Sequence, residues 1–209
     1  MSRAQFDQTA CDALAQCVRD IEKDTDAEIV IVVRARSGSY READYLFGSI
    51  LSFAGLLFVL FSPFNFHQYW VPVDVALLFV VGVYLSSRLN SIRRFLTTKK
   101  FRALAVRSGA AAMFYEAGIA NTSAEMGVLV YLSLLERRLE LIADRGVLKL
   151  VPALEWNKSL FNLRQAGRRP ELAALNQAMC ELGALLAQHV PATGENPNEL
   201  PDIPRFELK

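Results

Sequence analysis

The stretch LFGSILSFAGLLFVLF, from Leu46 to Phe61, has no charged residue, and WVPVDVALLFVVGVYLSS, from Trp70 to Ser87, has only Asp74. As helices, the two runs reach about 24–27 Å, close to the roughly 30 Å of a bilayer's hydrocarbon core. Two core helices of a soluble protein are the alternative, but apolar residues on all faces would need a very large domain to bury them. The sequence therefore predicts a transmembrane helical hairpin over residues 46–88, with spans at 46–62 and 70–88.

Positive charge lies on only one side of the hairpin. The turn at residues 62–69 has no Lys or Arg, whereas the outer ends are flanked by Arg34, Arg36, Arg41, Arg88, Arg93, Arg94, Lys99, Lys100 and Arg102. The positive-inside rule then predicts that both termini and the rest of the chain face the cytoplasm. Three cysteines without a CxxC pair suit a reducing compartment, and the N-terminal segment lacks the apolar core of a signal peptide.

Asp74 is the one carboxylate in the second span. It lies about one helical turn from Trp70, so its side chain can reach the interface. The alternative is an ion or proton pathway, which would need a partner group and several copies of the hairpin around a shared path.

The remaining sequence predicts an α/β domain that the hairpin interrupts. Three apolar runs predict strands: Ala27–Val33 (AEIVIVV), Gly127–Leu134 (GVLVYLSL) and Leu139–Ala143 (LELIA). The first is typical of a strand buried on both faces. Helical patterns cover Ala4–Glu22, Ile92–Ala117, Pro152–Ala166 and Pro170–His189. The predicted fold is α/β: a small mixed sheet, made of a parallel pair plus an antiparallel hairpin strand, flanked by helices and carrying an inserted two-helix transmembrane hairpin.

The predicted domain covers residues 1–45 and 91–192, and a Pro- and Asn-rich extended tail covers 193–209. The third helix begins with the basic segment IRRFLTTKKFRAL, which has an apolar stripe of Ile92, Leu96 and Phe101. This segment either lies against anionic headgroups or continues the second span into solvent, and the pattern leaves both open.

Several segments together resemble the TPM-domain family. They are DTDAEIVIVVRARSGSY at 24–40, AAAMFYEAGIANTSAEMGVLVYLSLLERRLELIADRGV at 110–147, Trp156, LLAQHVP at 185–191 and NELPD at 198–202. That family includes thylakoid-lumen phosphatase-like proteins, photosystem repair factors and many bacterial membrane proteins. The resemblance implies a mixed sheet flanked by helices, a bacterial inner membrane, and either acid-phosphatase activity with calcium or a role in assembling membrane complexes. The segment VLKLVPALEW after Gly146 lacks the second Gly and the Thr-Asp found in many members, which weighs against a family-type calcium site.

The topology sorts the polar residues between two edges of the sheet. The carboxyl ends of the parallel strands carry Ser37, Ser39, Tyr40, Glu136, Arg137 and Arg138, and this edge is expected to face the membrane. The opposite edge carries candidate ligands for Ca²⁺ or Mg²⁺: Asp24, Asp26, Asn121, Glu125 and Asp144, with Thr122 beside them. Ordinary turn and capping roles are the alternative for these residue types.

No conventional catalytic motif is present in the sequence. It contains no P-loop, HExxH, GxSxG, CxxxxxR or DxDx(T/V) loop, and only two histidines. A net charge of +1 gives no overall signature for nucleic acid. We therefore expect a membrane-anchored module that binds a partner, most simply another membrane protein, besides the lipid bilayer itself. A metal-dependent phosphatase at the acidic edge is the alternative, and homo-oligomerisation stays open.

Overall fold

The computed structural model describes residues 8–64, 66–122, 124–168, 171–194, 199–201 and 203–207. The chain divides into two compact units. The sheet unit comprises residues 1–37 and 103–209, and the hairpin unit comprises residues 38–102. The hairpin unit is thus wider than the two predicted spans, because it includes the segments on both outer ends.

The sheet unit contains a mixed four-stranded sheet in the order β3-β2-β1-β4. The strands are β1 (Glu28–Arg34), β2 (Gly127–Ser133), β3 (Arg138–Ala143) and β4 (Arg205–Glu207). β1 is parallel to β2, from the pair Glu28 and Gly127 onward, and β2 is antiparallel to β3. These pairings confirm the predicted parallel pair and antiparallel hairpin. The continuous β-branched run of β1 forms the centre of the sheet because both its faces are covered.

Two apolar cores lie on opposite faces of the sheet. Alternate residues of β1, such as Ile29 and Ile31, pack with α1 (Gln8–Glu22), α7 (Ala153–Arg168) and α8 (Leu172–His189) on one face. Val30 and Val32 pack on the other face with the part of α5 that lies in this unit. This alternation is the two-residue period of a strand, and here both sets of side chains enter a core. The sheet unit is therefore a three-layer α/β/α arrangement.

Two short elements of the sheet unit were absent from the prediction. β4 adds to the edge of β1 in parallel, pairing Val32 with Arg205. It lies in the predicted extended tail and has three residues, too few to show a period. The other element is α6 (Arg145–Leu150), which we interpreted as the close of a turn. Asp144 is its N-cap and accepts a hydrogen bond from the Arg145 backbone N–H, a normal way to start a helix.

The hairpin unit contains α2 (Arg41–Phe61), α3 (Val71–Arg88) and α4 (Asn90–Leu96), followed by the first residues of α5 (Lys99–Glu116). At 1.5 Å per residue, α2 is about 31 Å long and α3 about 27 Å. The single long helix that we predicted over Ile92–Ala117 is wrong, because it breaks at Thr97 and Thr98. Thr97 Oγ1 bonds back to the Arg93 carbonyl, and Thr98 Oγ1 accepts the Phe101 N–H at the start of α5. Threonine hydroxyls compete in this way with the helical ladder.

Candidate functional site

The closest approach of α2 and α3 in the hairpin is between small residues. A Cβ added to Gly82 of α3 would lie 2.8 Å from the Cα of Gly48 of α2, so the two backbones touch there. Nearby, Ser52 Oγ donates a hydrogen bond to the Val75 carbonyl at 2.8 Å across the same contact. Close backbone approach through glycine and interhelical serine bonds are the usual means by which apolar helices associate in lipid.

A buried ion pair lies at the end of the hairpin opposite the turn. Asp44, in the first turn of α2, accepts two hydrogen bonds from Arg93 of α4, at 2.9 Å from Nε and 2.6 Å from a terminal nitrogen. Ser86 Oγ of α3 donates to the same carboxylate at 2.8 Å. All three side chains are buried, so the cluster joins α2, α3 and α4. The bidentate geometry and the third donor are what a buried carboxylate needs in order to stay charged.

Sequence reasoning did not find this cluster. Asp44 and Arg93 are 49 residues apart, and Arg93 was counted only as one of several flanking cations. The sequence contained one signal for the cluster: Asp44 lies at the start of a largely apolar helix, where a carboxylate needs a partner. Asp74, the carboxylate of α3, is exposed in the first turn of that helix, where a negative charge interacts favourably with the helix dipole.

The outer surface of the hairpin is apolar. Only 17% of the most apolar window of α2 is buried, and 11% of that of α3. The exposed large side chains on these helices are Tyr45, Leu46, Ile50, Phe53, Leu57, Phe58, Leu60, Phe61, Val73, Leu77, Val80, Val81, Tyr84 and Leu85. Both helices are long and apolar enough to span a membrane.

The carboxyl edge of the parallel strands carries a buried polar network. Ser37 Oγ lies 2.9 Å from the Tyr131 hydroxyl and donates to Ser133 Oγ at 2.8 Å. Glu136 accepts the Ser37 backbone N–H at 3.0 Å and a further bond from Ser133 Oγ. The structure thus brings together Ser37 and Glu136, two of the residues predicted for this edge.

Arg34 lies at the end of β1, next to this network. Burial lowers the pKa of Arg34, but hydrogen bonds to Glu207 and Tyr131 outweigh the effect of burial, so the pKa is raised.

The strand side of this network is closely packed. Ser133 and Tyr131 have no exposed surface, and a Cβ added to Gly109 of α5 would lie 2.8 Å from the Tyr131 hydroxyl. The serines are hydrogen-bonded to each other and to Glu136. The network is suited to fixing the chain at Ser37, where it leaves the sheet unit, and not to nucleophilic chemistry.

The five predicted metal ligands are at the opposite end of the strands from this network, and several of them bond to neighbouring backbone. Asp26 accepts hydrogen bonds from the backbone and hydroxyl of Thr193, at 3.0 and 2.6 Å, and Asp24 accepts the Ala192 N–H through its carbonyl. Among the other three, Asn121 ends a 3₁₀ turn, the Glu125 carbonyl accepts the Gly146 N–H, and Asp144 caps α6.

Within the described residues, no group of three or more His, Cys, Asp or Glu side chains could hold a metal ion. That finding does not cover Asn or carbonyl ligands, so the metal site stays a prediction.

A buried acid at the same end also went unnoticed in the sequence. The Glu28 carboxylate, at the start of β1, accepts the backbone N–H groups of Glu199 and Leu200 at 3.0 and 2.8 Å. These residues belong to NELPD, in the tail that we predicted to be extended; Asn198 and Asp202 lie outside the described residues. The described part of this segment is therefore bound to its own sheet.

Two cysteines of the sheet unit contact each other between α1 and α8. Burial, followed by the charge and hydrogen bond of Cys180, raises the pKa of the Cys17 thiol to about 11. Ile21 and Gly183, about one turn further along each helix, are also in close contact. All three cysteines are free, in agreement with the expectation of unpaired thiols.

Comparison with known proteins gives the fold and no more. No protein-family model matches the chain. No curated protein matches it. A similar solved structure is the NMR structure of BA42 protein from the psychrophilic bacterium Bizionia argentinensis, with a TM-score of 0.58 and 14% sequence identity. The match covers 96% of this chain and 94% of that chain, and at this identity it supports a shared fold alone.

Proposed function

We propose that the chain is an integral membrane protein whose α2–α3 hairpin crosses a bilayer and holds the sheet unit at its surface. The observation that carries the proposal is the reversed distribution of side chains in the hairpin. Its closest backbone approach and its buried positions are at Gly48, Ser52 and Gly82, while most of its large apolar side chains are exposed. A core helix of a soluble protein would do the opposite. The resemblance to the TPM-domain family favours a bacterial inner membrane. Both termini are proposed to be cytoplasmic because the cations flank only the outer ends of the hairpin.

We further propose that the sheet unit is a partner-binding module acting in the assembly or maintenance of a membrane complex. Its α7 helix supplies the support. Leu154 is 83% exposed and Phe161 is 58% exposed, and residues seven apart lie on one face of a helix. Leu148 and Leu150 of α6, directly before α7, are also about half exposed. Exposed apolar side chains in this number mark a surface that another protein covers.

The test of the module uses the full chain in bacterial membranes. A photo-reactive phenylalanine analogue at Leu154 or Phe161 should give one discrete adduct with a membrane protein. The same analogue at Gln188, an exposed polar position on α8, is the matched control. Adducts from all three positions alike, or from none, would contradict the module.

Extraction of the membranes at alkaline pH tests the anchor separately, since an integral protein stays in the pellet.

The alternative, a metal-dependent phosphatase at the acidic edge, is favoured by one observation. Among the described residues, Asp144 Oδ2 is buried and accepts no hydrogen bond. A buried carboxylate oxygen usually has a partner, and a divalent cation such as Ca²⁺ or Mg²⁺ would be one. The check is turnover of a generic phosphomonoester with and without these ions, in the parent chain and in Asp144→Ala and Asp26→Ala. Metal-dependent turnover that both variants lose would favour the enzyme over the module.

A further inference from the structure

The short helix α4 is a separate element at the base of the hairpin. α3 ends at Arg88, and Leu89 is extended, with φ −104° and ψ 94°, so the chain changes direction before α4 begins. α4 packs against both α2 and α3, and the Arg93–Asp44 ion pair holds it there. The segment after the second span is therefore no continuation of that span.

An exposed aromatic side chain lies on the face of α4 opposite Arg93. Phe95 lies two residues from Arg93, about 200° around the helix, and is 89% exposed. Phe101, in the first turn of α5, is also exposed. α4 has only seven residues, and the buried Arg93–Asp44 ion pair fixes which side of it is exposed. The exposure of Phe95 on that side therefore indicates a contact with an apolar medium.

Cations surround these aromatic residues. Residues 38–46 and 88–102 contain seven Lys or Arg against two carboxylates, and one of those carboxylates is Asp44, already paired with Arg93. Lys99 and Lys100 are exposed, and the Arg88 guanidinium stacks over Tyr84 at 5.2 Å from its ring centre. Aromatic side chains beside exposed cations are the composition of surfaces that lie in the headgroup region of anionic membranes.

We propose that Arg88, Phe95, Lys99, Lys100 and Phe101 form a binding surface for anionic phospholipids, here called the α4 surface. The proposal rests on the proposed membrane anchoring, because a bilayer-spanning hairpin places its base at headgroup depth. The phenylalanines enter the boundary of the acyl chains, and the cations bind the phosphate groups of neighbouring anionic lipids. A nucleic acid or an acidic peptide would match the cations but would leave Phe95 in water.

The experiment compares spin-labelled phosphatidylglycerol with spin-labelled phosphatidylcholine around the full chain in reconstituted vesicles. The fraction of each lipid that is motionally restricted by the protein gives their relative affinity. We expect the parent chain to prefer phosphatidylglycerol by at least about threefold at low salt, because each cation near an anionic surface contributes up to about fivefold. Added salt should reduce the preference.

Two variants decide the role of the α4 surface. Lys99→Gln with Lys100→Gln should bring the preference close to one, whereas Arg19→Gln with Lys23→Gln, a matched pair at the C-terminal end of α1 in the sheet unit, should leave it unchanged. Phe95→Gln should lower the preference partway with no change in charge. Equal loss in both double variants, or no preference in the parent chain, would overturn the proposal. A protein that resists alkaline extraction yet shows no preference refutes only the lipid surface, and one that is extracted refutes the anchor itself.

Discussion

The two units of this chain place their apolar side chains in opposite directions. In the sheet unit, Leu132, Leu163 and Met179 have no exposed surface, and they lie in a core between sheet and helices. In the hairpin unit, the buried side chains at the helix contacts are mainly glycine, serine and one ion pair, while most of the leucines and phenylalanines are exposed or only partly buried. The same hydrophobic effect explains both arrangements if the two units have different solvents, namely water around the sheet and hydrocarbon around the hairpin.

The largest loss of stability is expected from substituting a buried charged residue in the hairpin unit. Asp44→Ala leaves the Arg93 guanidinium without its carboxylate, which should cost about 3–5 kcal/mol of the stability of the hairpin unit. Hydrogen exchange of the amides in α2 measures this loss directly. Replacing the pair together, as Asp44→Leu with Arg93→Met, should restore most of the protection, because no uncompensated charge remains. Equal losses in the single and double variants would show that the pair itself supplies the stability.

The same substitution in the two units gives the sharpest contrast. Leu163→Ala removes a side chain with no exposed surface and should lower the free energy of unfolding by about 2–5 kcal/mol. Leu77→Ala, at a position 60% exposed on α3, should cost less than about 0.5 kcal/mol in detergent. Denaturation followed through Trp156 fluorescence reports the first, and hydrogen exchange in α3 reports the second. A large loss at Leu77 would mean that protein covers the outer face of the hairpin.

A smaller effect is expected from enlarging the hairpin contact. In Gly82→Leu, the new side chain would begin 2.8 Å from the Gly48 Cα and force the helices apart, which should cost about 1–3 kcal/mol. Ala76→Leu adds the same bulk on the exposed face of α3 and is the control. Helix separation can be followed by distance measurements between labels on α2 and α3. An unchanged distance in Gly82→Leu would show that the backbones do not touch.

The smallest expected effect on stability comes from the ionisation of Cys17 in the sheet unit. Because burial and Cys180 raise its pKa from 9.0 to about 11, Cys17 should alkylate slowly near neutral pH and about tenfold faster per pH unit up to about 11. The folded state keeps this proton where the unfolded chain loses it, so the free energy of unfolding falls as pH rises from about 9 to 11. Cys180→Ala should lower the pKa only in part, since burial is the larger cause. Mass spectrometry of the labelled peptide measures the rate.

The sequence predicted the elements whose patterns are long and regular. The β-branched run of β1 and the two apolar runs of the hairpin, the second with one charge at Asp74, can be recognised from local sequence alone. The remaining features depend on contacts that no local pattern shows. Glu136 reaches Ser37 across 99 residues, β4 has three residues, and the break at Thr97 depends on one hydroxyl bond. For the candidate site, the hairpin was predicted, but the ion pair that holds α4 at its base was not.

The most direct test of the account is the side of the membrane on which each end of the hairpin lies. In a chain whose three cysteines are replaced by alanine, His67→Cys marks the turn and Thr98→Cys marks the base. A membrane-impermeant maleimide is added to sealed vesicles in native orientation. The account predicts that His67→Cys is labelled from the outside, and that Thr98→Cys is labelled only after the vesicles are opened. Labelling of both positions from the same side of the intact membrane would contradict it.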